Sequence, residues 1–136
     1  MSLDLEYDES GEDPPATPAA TLVIFRRDVA GGAPQILMVE RSTTMKFAGG
    51  AAVFPGGRVD DADRALAAVL GAMEEDDLHE LAARIAAVRE TLEETGLVVG
   101  IRQRPSLDEA RRAREILLAE GTLAPTLDAM GWELDL

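Results

Sequence analysis

Apolar positions recur along this chain with two different periods, and the change from one to the other divides it. Leu22, Val23, Ile24 and Phe25 follow one another between Thr21 and Arg26, as in a buried strand. Gly31, Gly32, Ala33 and Pro34 mark a turn, and a second strand is expected from Gln35 to Arg41 through Ile36, Leu37, Met38 and Val39. The pair predicts a hairpin with a long loop. Gly49 and Gly50 set off a short extended piece, Ala51 to Phe54, and the backbone is expected to turn sharply at Pro55-Gly56-Gly57.

The period then becomes helical. Leu66, Val69, Leu70 and Met73 predict a helix over about Asp63 to Met73, with Asp60, Asp61 and Asp63 as caps and as favourable charge at its start. The acidic run Glu74 to Asp77 interrupts it. A longer helix is predicted from Leu78 to Thr95, stopped by Gly96. Leu97 to Arg102 reads as another strand. Ser106 and Glu109 form a capping box at the start of a third helix, which Gly121 closes, and Thr126 to Met130 adds one turn. Strands, then helices, then a strand and a helix make an α+β chain.

Length and composition narrow the class. The chain has 136 residues, room for one domain, and is 46% hydrophobic but only 4% aromatic, so its core is aliphatic and alanine-rich. It has no cysteine, which excludes disulfides, thiolate metal sites and a cysteine nucleophile. A net charge of -13 argues against nucleic acid and against anionic membranes. No apolar run approaches the roughly 18 residues of a membrane span, so a soluble, cytoplasmic protein is expected. Asp4, Glu6, Asp8, Glu9, Glu12 and Asp13 precede every base and are followed by Pro14, Pro15 and Pro18. Residues 1–20 are therefore read as a flexible acidic leader, and 21–136 as the folded domain.

The segment from Arg89 to Leu97 carries the chemistry. Leu81, Ile85, Val88 and Leu92 share one helical stripe, and Glu90, Glu93 and Glu94 cluster on the opposite side. Carboxylates spaced i, i+3 and i+4 repel one another, and the helix C-terminus disfavours anions. Helix stability alone would not select this pattern. A divalent cation such as Mg²⁺, which takes carboxylate oxygens, reverses the sign of the argument. A solvated face with Arg89 paired to Glu93 is the competing reading of these residues.

Gly57, Asp63, Arg89-Glu90, Glu93-Glu94, Gly96 and Leu97 resemble the Nudix box, with Thr91 at a usually aliphatic position and Asp63 where glutamate is usual. Twenty-five residues separate Asp63 from Arg89 where seven are common, which implies a helical insertion over about residues 64–80. Arg41-Ser42, Lys46, Gly50 and Phe54-Pro55-Gly56-Gly57 keep the register of the coenzyme A-type Nudix signature. Such an insertion, following this signature and Asp60-Asp61-Ala62-Asp63, resembles the branch related to peroxisomal coenzyme A diphosphatases.

The resemblance implies an α/β/α sandwich around a mixed sheet and Mg²⁺- or Mn²⁺-dependent hydrolysis of a diphosphate linkage in a small nucleoside diphosphate derivative. A coenzyme A-like substrate is favoured, with ADP-ribose or a nucleoside triphosphate as alternatives. It assigns Glu90, Glu93 and Glu94 as metal ligands, the Gly56 carbonyl as a further ligand, and Glu90 or Glu93 as general base. Arg89 would orient the carboxylates, and Arg41 and Lys46 would meet substrate phosphates. His79 is expected at the surface, and Trp132 in packing. Few strands follow the box helix, so the sheet is expected to be incomplete. The chain then reads as the N-terminal portion of a longer protein or a natural short form, with an exposed edge that favours a homodimer. The rival expectation is a catalytically incompetent Nudix-like module that binds a nucleotide or a protein.

Overall fold

The computed structural model describes residues 15–44 and 49–136. Residues 1–14 of the acidic leader and Lys46 lie outside the described residues. Six short strands precede four helices: β1 (Ala19–Thr21), β2 (Phe25–Arg26), β3 (Gln35–Ile36), β4 (Val39–Glu40), β5 (Ala52–Val53), β6 (Gly56–Arg58), α1 (Asp61–Val69), α2 (Glu75–Thr95), α3 (Leu107–Glu120) and α4 (Leu123–Met130). This is the expected α+β arrangement, with helices packed against antiparallel strands.

The strands differ in detail from the reading of the sequence. They form three separate antiparallel pairs, β1 with β6, β2 with β3 and β4 with β5, rather than one mixed sheet. The run from Thr21 to Arg26 is not one buried strand. It changes partner between Thr21, opposite Gly56, and Phe25, opposite Ile36. Leu22 N–H still donates to the Pro55 carbonyl at 2.8 Å, and the Ile24 carbonyl accepts from Leu37 at 2.9 Å, so the crossing leaves these groups bonded. The hairpin of β2 and β3 is present, but Phe25 and Ile36 stay more than half exposed among the described residues.

Gly56 and Gly57 are strand residues, not a sharp turn. They are glycines because other groups come too close for a side chain: a Cβ on Gly56 would strike the Ala20 carbonyl, and one on Gly57 would strike the Glu90 carboxylate. Leu97 to Arg102 is likewise not a strand. It makes a single antiparallel bridge, Ile101 with Leu134, supported by Arg102 N–H to the Glu133 carbonyl (3.0 Å) and Asp135 N–H to the Gly100 carbonyl (2.8 Å).

α1 ends sooner than the apolar spacing predicts, at Val69, and Gly71 follows at φ 98°. Its buried residues are Asp63 and Ala67, while Val69 and Met73 are solvent-exposed. Its buried side carries Ala67 and Asp63, the latter in an ion pair described below, with Leu66 packed against the core. α2 is buried over more of its circumference than one stripe, through Ala82, Ile85, Ala86, Ala87, Val88, Thr91 and Leu92. Its alanines allow α1, α3, β1 and β6 to pack around it. Thr91 is fully buried and donates from Oγ1 to the Ala87 carbonyl at 2.7 Å, which satisfies a hydroxyl at a usually aliphatic site.

The later helices follow their signals. Ser106 caps α3, its Oγ accepting from Glu109 N–H at 3.2 Å while Glu109 Oε2 accepts from Ser106 N–H at 2.7 Å. Gly96, Gly121 and Gly131 end α2, α3 and α4 in the left-handed conformation. α4 has eight residues where one turn was expected. Trp132 packs in the core beside Leu117, Leu123 and Leu127, and His79 is exposed. No helix among the described residues is long and apolar enough to cross a membrane.

Candidate active site

Arg89 lies at the centre of the site, only 3% exposed. Its Nε donates to Asp63 Oδ1 at 3.0 Å and its Nη2 to Asp63 Oδ2 at 2.9 Å, a bidentate pair across the whole insertion. Nη2 also donates to the Arg58 carbonyl (2.9 Å), and Nη1 to Glu90 (3.0 Å) and Glu93 (3.3 Å). These five bonds match the five N–H groups of a guanidinium. Asp60 adds its carboxylate 3.2 Å from Nη2. Burial works against the charged form of Arg89, and the Asp63 hydrogen bonds with the fields of Asp63, Glu90 and Glu93 more than offset it. The guanidinium therefore stays charged while holding the ends of β6, α1 and α2 together.

Beside it lies a cleft of about 690 Å³, lined by Val39, Glu40, Arg41, Ser42, Val53, Gly56, Gly57, Arg58, Glu90 and Glu94. The bare Gly57 backbone gives the Glu90 carboxylate its place. Burial raises the Glu90 carboxyl above the ordinary value, against the pull of Arg89 and with the help of Glu93. Glu94 is also raised, first by burial, although a backbone hydrogen bond from Gly56, one shared with Glu90 and the nearby Arg41 charge act the other way. Arg41 Nε is buried and has no hydrogen-bond partner among the described residues.

The site residues expected from the sequence thus divide. Glu90, Glu94, Gly56 and Arg41 meet at one cleft, and Arg89 braces it from behind. Glu93 turns toward Arg89 and is not among the cleft-lining residues. Among the described residues no three Asp, Glu or His side chains already converge on one metal-sized point. Sequence reasoning missed Arg58 and Glu40, which carry no motif position, and Arg114. Arg114 lies on α3 and donates from Nε and Nη2 to the Glu93 carbonyl at 2.9 and 2.7 Å. It brings a cation to the C-terminal end of α2, offsetting the unfavourable position of the three glutamates.

The donor set suits a hard divalent cation. It is all oxygen, and the Glu90 and Glu94 carboxyls line one cleft.

The site thus sets two carboxylates of the central helix beside a glycine strand and a buried arginine clasp, within an α+β domain. A family model described as the NUDIX domain matches residues 15–119, and the chain belongs to the Nudix family. The crystal structure of a NUDIX hydrolase from Alicyclobacillus acidocaldarius is similar, with a TM-score of 0.64 and 32% sequence identity over 88% of this chain and 57% of that one. The chain thus spans somewhat more than half the length of that protein. No curated protein matches it significantly.

Proposed function

We propose that this chain hydrolyses a diphosphate linkage in a nucleoside diphosphate derivative, with a coenzyme A-like substrate favoured. The observation that carries the reading is the meeting of Glu90 and Glu94 with Gly56, Gly57 and Arg41 at one cleft. Glu90 and Glu94 would hold a divalent cation, Mg²⁺ or Mn²⁺, with Glu93 as the further carboxylate and the Gly56 carbonyl as a neutral oxygen. When bound, the ion would neutralise phosphate oxygens and lower the pKa of the attacking water.

The chain's own residues supply the rest. Arg89 orients Glu90 and Glu93 through its Nη1 hydrogen bonds. Glu90 or Glu93 accepts the proton of the attacking water. Arg41, whose buried Nε has no hydrogen-bond partner among the described residues, offers a guanidinium to phosphate oxygens, and Lys46 is assigned the same task from the sequence register. Coenzyme A is favoured over ADP-ribose or a nucleoside triphosphate by the register from Arg41-Ser42 to Phe54-Pro55-Gly56-Gly57. Self-association through uncovered strands belongs to the same reading.

The test is release of phosphate-ester products from coenzyme A, ADP-ribose and dinucleotides with Mg²⁺ or Mn²⁺, comparing wild type with Glu94→Gln. Loss of at least about a hundredfold in the variant is expected from removing one ligand to the catalytic ion; equal rates reject the proposal. A second reading rests on Glu93 facing Arg89 rather than the cleft: a module that binds nucleotide without turnover. Calorimetry showing saturable ligand binding alongside no product would favour it.

A further inference from the structure

The end of α2 leaves one backbone carbonyl without its helical donor. Gly96 N–H closes on the Leu92 carbonyl at 3.0 Å in the regular way. Leu97 N–H, which a continuing helix would send to the Glu93 carbonyl, goes instead to Thr95 Oγ1 at 3.1 Å. Arg114 of α3 takes the vacated place, its Nε and Nη2 both donating to the Glu93 carbonyl, an oxygen with two lone pairs. Among the described residues this guanidinium forms no ion pair, and the Glu93 carboxylate turns to Arg89. Arg114 therefore acts on the backbone of α2 rather than on its acidic side chains.

That backbone position bears on the cleft. The Glu93 carbonyl belongs to the planar peptide unit that carries the Glu94 Cα, so a fork of two bonds to its oxygen fixes where the Glu94 side chain starts. At the other end of that side chain the Glu94 carboxyl meets the Gly56 backbone. Helix ends fray, and without Arg114 the last turn, with Glu93 and Glu94 on it, would be the part of α2 to do so. We propose that Arg114 is a positioning residue for the cleft: from α3 it holds the Glu93–Glu94 peptide and so sets the affinity for a divalent cation. The inference rests on the cation reading of Glu90 and Glu94 given above.

The metal alone is the probe. Mn²⁺ binding, followed by electron paramagnetic resonance, is compared in wild type, Arg114→Leu, Arg114→Lys and Ser106→Ala. The last removes the cap of α3, and so loosens the same helix without touching α2. Arg114→Leu should bind Mn²⁺ about tenfold more weakly, the usual effect of losing a group that orients a metal ligand. Arg114→Lys, which can still donate to the carbonyl, should recover part of the loss. Ser106→Ala should bind as wild type despite a lower melting temperature. Affinity of Arg114→Leu within about twofold of wild type, or an equal loss in Ser106→Ala, overturns the positioning role. No Mn²⁺ binding by wild type removes the cation reading and this inference together. If binding depends on Arg114 while wild type turns over no diphosphate substrate, the positioning role stands and the hydrolase reading falls.

Discussion

Arg89 places five N–H donors among Asp63, the Arg58 carbonyl, Glu90 and Glu93, and a guanidinium so enclosed cannot return to water when a partner is lost. Asp63→Ala should therefore destabilise the domain by about 3 kcal/mol, the lower end for breaking a buried pair, because Glu90 and Glu93 remain as partners. Urea unfolding of variant and wild type reads this directly. Gly57→Ala acts differently. Its new methyl meets the end of a flexible side chain, the Glu90 carboxylate, which will swing away. We expect Mn²⁺ affinity, followed by electron paramagnetic resonance, to fall tenfold or more, with some loss of stability because the buried Arg89 Nη1 loses its Glu90 partner; unchanged affinity would separate Glu90 from metal binding.

Among the elements, those announced by local signals were legible in the sequence. Ser106 and Glu109 marked the start of α3, Gly96 and Gly121 marked helix ends, and the Arg89 to Gly96 spacing marked the site. What escaped were contacts between elements with no periodic relation, such as Arg114 of α3 on the last turn of α2. The apolar run from Leu22 to Phe25 misled because hydrophobicity records a preference for burial and not the presence of a partner to bury against. α1 misled because it ends at Val69, before the apolar positions Leu70 and Met73, which stay exposed, while Asp63, paired with Arg89, takes a buried place that apolar spacing does not mark.

Two expectations follow at this scale. Arg114→Leu removes both bonds to the Glu93 carbonyl and should cost about 1.5 kcal/mol by urea unfolding. The Glu109 carboxyl is held below its ordinary value of 4.5 by the Ser106 N–H. A lowered carboxyl stabilises above the unfolded-state value, and its contribution is lost as pH falls through the folded-state value. The difference in melting temperature between wild type and Glu109→Gln should accordingly be present at neutral pH, shrink as pH falls below 4.5 and vanish once pH lies below the lowered folded-state value.

For the molecule as a whole, apolar surface and net charge pull in opposite directions. Phe25, Ile36 and Met38 are exposed around the β2–β3 pair, while the chain carries a formal charge of -13. Repulsion of that size falls as salt shortens the Debye length from about 10 Å at 0.1 M to about 3 Å at 1 M. If self-association uses these strands, light scattering should show the apparent mass rising with salt at micromolar concentration, and Phe25→Ser should abolish the rise. A monomer at every salt concentration would exclude it. The Asp63–Arg89 clasp carries a different consequence. It joins residues on either side of the α1–α2 corner, so the corner from Leu70 to Glu74 is a loop whose ends are held independently of its length. Doubling a closed loop costs only about 0.6 kcal/mol in chain entropy. The corner is thus a port into which a peptide tag, a reporter domain or a new pair of chain termini can be built while the carboxylate helix keeps its place.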